Sequence, residues 1–144
     1  MRTRALLSLS LAFAAALAGC ATVTPEESTG ESPVKVEKGD AATDLGRLTL
    51  TPEAAKRLGI ETTSVSEANG QAAVPYAAVL YDPQGATWTY TSPSELVFVR
   101  SAIDVASIEG DRALLTSGPP VGTKVVTVGV AELYGAETGV GGGH

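Results

Sequence analysis

From residue 74 to residue 134 the chain alternates short apolar, β-branched runs with turn-forming clusters. Residues 76–81 and 88–91 flank Asp82-Pro83-Gln84-Gly85, and residues 96–105 follow Ser92-Pro93-Ser94. Residues 112–116 follow Glu109-Gly110-Asp111, and residues 124–130 follow Ser117-Gly118-Pro119-Pro120. Short strands at this spacing, bounded by Gly, Pro, Asp and Ser, predict a small antiparallel β domain. Asp82, Pro83 and Gly85 occupy the positions a type I turn prefers, which predicts a hairpin between 78–81 and 87–90. On its second strand Trp88 and Tyr90 share one face and Thr87, Thr89 and Thr91 the other, because side chains alternate along a strand. Residues 96–100 are apolar on both faces, the pattern of a strand covered on both sides. A second hairpin is expected from 103–108 to 112–116, residues 125–130 form the strongest β run, and 131–134 make a short helical turn that closes the domain.

The pattern continues upstream. Residues 45–50 predict a first strand with Leu48 and Leu50 on one face. Thr51-Pro52-Glu53 reads as a helix start: Thr51 caps, Pro52 suits the first helical position and Glu53 meets the positive end of the dipole. Gly59 is placed to end that helix in a left-handed conformation. A β-branched run over 60–65 leads to Asn69-Gly70, a strong hairpin-turn signal, and 71–81 resumes the sheet. Pro75 lacks a ladder donor and so belongs on an edge or at a strand start, an edge open to strand addition by a partner. The expected fold is all-β, a mainly antiparallel small barrel or sandwich with one short helix, over residues 45–136. Residues 137–144 are Gly-rich and read as a frayed, disordered tail.

The first twenty residues follow a different pattern. Arg2 and Arg4 precede an apolar stretch over 5–17, shorter than the roughly 20 residues of a spanning helix, so 1–19 reads as a signal peptide. Leu17-Ala18-Gly19-Cys20 resembles the bacterial lipobox, which implies lipid attachment at Cys20, cleavage before it and acylation of the new amino terminus. Several acyl chains hold a protein stably on a bilayer. The expected location is the cell envelope, on the extracytoplasmic side of a membrane. Residues 20–44 are rich in Thr, Glu, Ser, Gly, Pro and Lys and cannot bury enough surface to order themselves. They read as a lipidated flexible tether with a reach of roughly 25–30 Å.

Composition narrows the function. The net charge is −6, and no run of Lys or Arg follows residue 4, which argues against a nucleic-acid binder. The single cysteine, Cys20, leaves no disulfide to stabilise a small domain. His144, the only histidine, is the last residue, where no catalytic group would be preorganised. Glu109, Asp111 and Asp104 read as solvated turn residues, and no Cys, His or carboxylate cluster has metal-ligand spacing. No hydroxyl has a base recommended by spacing. The chain is therefore read as a non-enzyme without a cofactor or metal.

Val74-Pro75-Tyr76-Ala77-Ala78-Val79, Tyr81-Asp82, Trp88-Thr89-Tyr90, Phe98-Val99-Arg100, Ile108-Glu109-Gly110-Asp111 and Gly122-Thr123-Lys124-Val125-Val126 together resemble the C-terminal, membrane-proximal region of periplasmic adaptor subunits, the membrane fusion proteins of efflux pumps. Leu50-Thr51-Pro52-Glu53-Ala54 and Leu58-Gly59-Ile60-Glu61 resemble a segment ahead of those adaptors' central domains. The resemblance implies a barrel-like domain that packs on an inner-membrane transporter. The lipoyl-like domain and long helical hairpin of a full adaptor have no counterpart in the pattern. The function expected is a membrane-anchored, non-catalytic accessory or adaptor-like component of a transport system, partnered by a transporter or by itself. Pro75, Tyr76, Trp88 and Tyr90 are the candidate contact residues. The alternatives are a small-ligand-binding lipoprotein, with the barrel interior as its pocket, and a purely structural envelope lipoprotein.

Overall fold

The computed structural model describes residues 32–38 and 45–139. The signal peptide, the lipobox with Cys20, most of the tether and His144 lie outside the described residues. The strands are β1 (Val34–Glu37), β2 (Arg47–Leu50), β3 (Glu61–Ser64), β4 (Ser66–Ala68), β5 (Gln71–Pro75), β6 (Leu80–Tyr81), β7 (Thr87–Ser94), β8 (Val97–Ala102), β9 (Asp104–Glu109), β10 (Arg112–Ser117) and β11 (Lys124–Val128). Two helices accompany them, α1 (Pro52–Leu58) and α2 (Val130–Thr138), with a 3-10 turn at Tyr76–Ala78.

The domain is all-β and antiparallel at every described pairing. The first sheet has the order β1-β2-β8-β7-β11-β3, with β6 beside β7, and the second runs β4-β5-β10-β9. Two stretches of chain belong to both sheets. β3 passes into β4 at Val65, and β8 passes into β9 at Ile103, and both corner residues are buried. Corners of this kind are how strands change sheets in packed β structures. The result is two linked sheets and not one closed barrel.

The expected starts and stops of α1 are present. Thr51 Oγ1 accepts from Ala54 N at 3.2 Å, and Gly59 closes the helix at φ 63°. The Asn69-Gly70 turn has both residues at positive φ, 53° and 76°, and joins β4 to β5. In the predicted hairpin at Asp82, Leu80 pairs with Trp88 and Tyr81 with Thr87.

Three expectations are corrected. Val34–Glu37, assigned to the tether, is a strand paired with β2, so that Val34 meets Leu50 and Val36 meets Leu48. The closing helical turn is a full helix that reaches Thr138, so Glu137 belongs to the domain and not to a tail. Finally, 71–81 is not one strand: β5 ends at Pro75, which supplies no ladder donor, and the 3-10 turn follows.

The first sheet carries a core on each face. On one face Leu48, Leu50, Tyr90, Phe98 and Val126 pack with Ala54 of α1 and Leu133 of α2. On the other, Val125 packs with Val65, Val74, Ala78, Ile103, Ala113 and Leu115 between the sheets. Strand alternation sorts them: Tyr90 and Val126 go to the helix side, Thr89 and Val125 to the second sheet.

Candidate functional site

The polar chemistry of the domain collects where α2, packed beside β1 and β2, meets side chains of β7 and β8. Tyr90 and Arg100 are direct cross-strand partners, and Trp88 lies two residues along on the same face. Val130, Leu133, Tyr134 and Glu137 follow the i, i+3, i+4, i+7 spacing of one helix stripe, so the packing that buries Leu133 carries Glu137 onto Tyr90 and Arg100. The Glu137 side chain is only 5% exposed. Its Oε2 accepts from the Tyr90 hydroxyl and lies 3.3 Å from Arg100 Nε, and its Oε1 accepts from Gly46 N at 3.1 Å. One carboxylate thus ties together α2, β7, β8 and the start of β2.

Arg100 is held by stacking as much as by charge. Its Cζ lies 4.4 Å from the centre of the Trp88 ring and 5.5 Å from that of Tyr134, within the range of a cation–π contact. Nε faces Glu137 without the angle of a hydrogen bond and is buried with no other partner among the described residues. Trp88 Nε1 donates to Asp82 Oδ2 at 2.9 Å, while Asp82 Oδ1 accepts from Gln84 N at 2.9 Å and Ala86 N at 2.8 Å. The indole donor, then those amides and the Arg100 charge, hold the Asp82 carboxyl below its ordinary pKa against the cost of desolvation. Burial, followed by the bond to the Glu137 carboxylate, pushes the Tyr90 hydroxyl well above its ordinary value. Beside this cluster a cleft of about 370 Å³ is lined by Val36, Lys38, Gly46, Arg100, Glu137 and Thr138.

A second surface is aromatic. Tyr76, on the 3-10 turn, is 45% exposed and Tyr81, on β6, is 50% exposed. Partial desolvation and the neighbouring Tyr76 phenol raise the Tyr81 pKa. Tyr76 N donates to Asp111 O at 2.7 Å, and Ala78 and Val79 behind it pack into the second core, which fixes the turn.

The candidate contact residues therefore separate. Tyr76 is at the surface. Trp88 is half-buried beneath Arg100. Tyr90 has no exposed surface and is a core residue, which corrects its assignment as a contact. Pro75 is also corrected: β5 lies between β4 and β10, and Pro75 faces Arg112, so this is no free edge. Glu109 accepts from Asn69 Nδ2 at 3.3 Å and remains a turn-flanking residue. The described residues include no group of three or more His, Cys, Asp or Glu placed to hold a metal. No described helix is long and apolar enough to cross a membrane.

Arg100, Glu137 and Asp82 form the cluster that sequence reasoning did not find. A signal for two of them exists: Arg100 alternates with Phe98 onto the apolar face, and Glu137 completes the stripe begun by Val130. No protein-family model matches the chain, and comparison with curated proteins and with solved structures returns no match.

Proposed function

We propose that this protein is a lipid-anchored, non-catalytic accessory component of a transport system, akin to the membrane-proximal part of an efflux adaptor, and that it docks on a membrane transporter through the surface bearing Tyr76 and Tyr81. The observation that carries the reading is this aromatic pair. Two large, amphipathic side chains stand about half exposed, Tyr76 on a turn anchored to the second core and Tyr81 on a strand whose Leu80 packs on the first. Rigid, partly exposed aromatic residues are enriched at binding hot spots because they bury much area at little entropic cost. The Cys20 motif supports the same reading from the sequence, since it would keep the domain beside membrane partners. The second core is filled by Val, Ile, Leu and Ala side chains, which favours recognition at the surface over a ligand held between the sheets.

The test is chemical crosslinking of the lipidated protein in its native membrane, followed by mass spectrometry of the captured partners. Recovery of an integral-membrane transporter subunit is the expected result. Capture of only the protein itself, or of unrelated envelope proteins, would overturn the transport role.

A further inference from the structure

We infer that the cleft between β1, β8 and the end of α2 is a phosphate-binding site, with Arg100 and Lys38 as its donors. This inference stands apart from the transport reading. A guanidinium has five N–H donors, and buried polar groups are normally satisfied. Arg100 is mostly buried, yet none of its nitrogens donates a hydrogen bond to a described residue. Nε is turned to Glu137. Arg100 lines the cleft, and with Nε buried against Glu137 the Nη end is the part of the head left to face it. Trp88 and Tyr134 fix the plane of the guanidinium and leave no freedom to collapse onto another acceptor.

The charge balance favours an anion. Both Glu137 oxygens are already engaged, by Tyr90, Gly46 and Arg100. Lys38 adds a second cation, so the side chains that line the cleft sum to one positive charge inside an acidic protein. The chemistry of the two donors favours a tetrahedral anion over a flat one. A planar guanidinium fork takes two oxygens, and a phosphate has a further oxygen for an ammonium that a carboxylate does not have. The ligand class is a phosphate group, borne by a free phosphate ester or by a lipid headgroup.

The test is thermal stability of the full lipidated chain in detergent, titrated with inorganic phosphate and, at matched ionic strength, with acetate and with chloride. A saturable rise with phosphate alone is expected. Lys38→Ala, at an exposed position, should weaken it on the order of tenfold while leaving the circular dichroism unchanged. Arg100→Lys, which keeps the charge and loses the fork, should weaken it further. An equal rise with acetate or chloride, or a phosphate response retained in both variants, would overturn the assignment. Glycerol phosphate and dihexanoyl phosphatidylglycerol below its micelle concentration separate the sources: tighter binding of the lipid identifies a headgroup site, equal binding a site for free phosphate esters, and binding of neither overturns the assignment.

Discussion

Glu137 joins four segments of chain through one carboxylate, and its removal has a calculable cost. Breaking a buried ion pair strands the other charge. Glu137→Gln keeps the shape and an acceptor but leaves Arg100 uncompensated. Chemical denaturation should show a loss of about 3 kcal/mol, with the single tryptophan, Trp88, as the fluorescent probe. Tyr90 makes the linked prediction with pH. Its folded-state pKa is raised above an unfolded value of about 10. Its contribution is therefore fully present below pH 10 and lost as pH rises above that value, because only the unfolded state then releases the proton. Urea midpoints should fall above pH 10, and Tyr90→Phe should flatten that fall. Thr89 has the opposite character: it is wholly buried and its Oγ1 has no hydrogen-bond partner among the described residues. Thr89→Val removes the unpaired hydroxyl at nearly constant shape, so a gain of about 1 kcal/mol in the same denaturation assay is expected. Strand alternation alone places Trp88 and Tyr90 on one face and Thr89 on the other. It could not reveal that Tyr90 is covered, because the covering helix is written some forty residues later.

At the scale of elements, local chemistry was read well and non-local pairing was not. Thr51, Pro52 and Gly59 fix α1 within nine residues, and Asn69-Gly70 fixes its hairpin within two. β1 was missed because Val-Lys-Val-Glu is a short alternation inside polar sequence, and its partner β2 lies beyond residues 39–44. α2 was read only in part, since Glu137 falls where its stripe meets Gly-rich sequence, and an acid there looks like solvent-facing residue. The entry to α2 depends on Gly129. It adopts φ 91°, and a Cβ at this position would lie 2.2 Å from Ile60 Cδ1. Gly129→Ala should therefore cost about 2 kcal/mol from strain and overpacking together. Near-ultraviolet circular dichroism and a thermal melt check it, and a variant as stable as the parent would show that α2 can begin elsewhere.

Across the whole molecule, two sheets share their corner segments at Val65 and Ile103 and enclose one core, while the helices and β1–β2 enclose another. The antiparallel all-β class was legible from strand spacing. The division into two sheets was not, because alternation is indifferent to the residue at which a strand leaves one sheet for the next. Nor was the difference between the buried Tyr90 and the exposed Tyr76, which arises from where α2 and the 3-10 turn come to rest. The architecture leaves Tyr76 and Tyr81 on a supported surface, and the proposed function turns on whether that surface meets a transporter. The direct measurement is photo-crosslinking in the native membrane with a benzophenone amino acid at position 76 or 81, and at exposed Arg57 on α1 as the comparison. The account predicts an adduct with one integral-membrane transporter subunit from positions 76 and 81 and none from 57. Equal capture from all three positions, or none from 76 and 81, would contradict it.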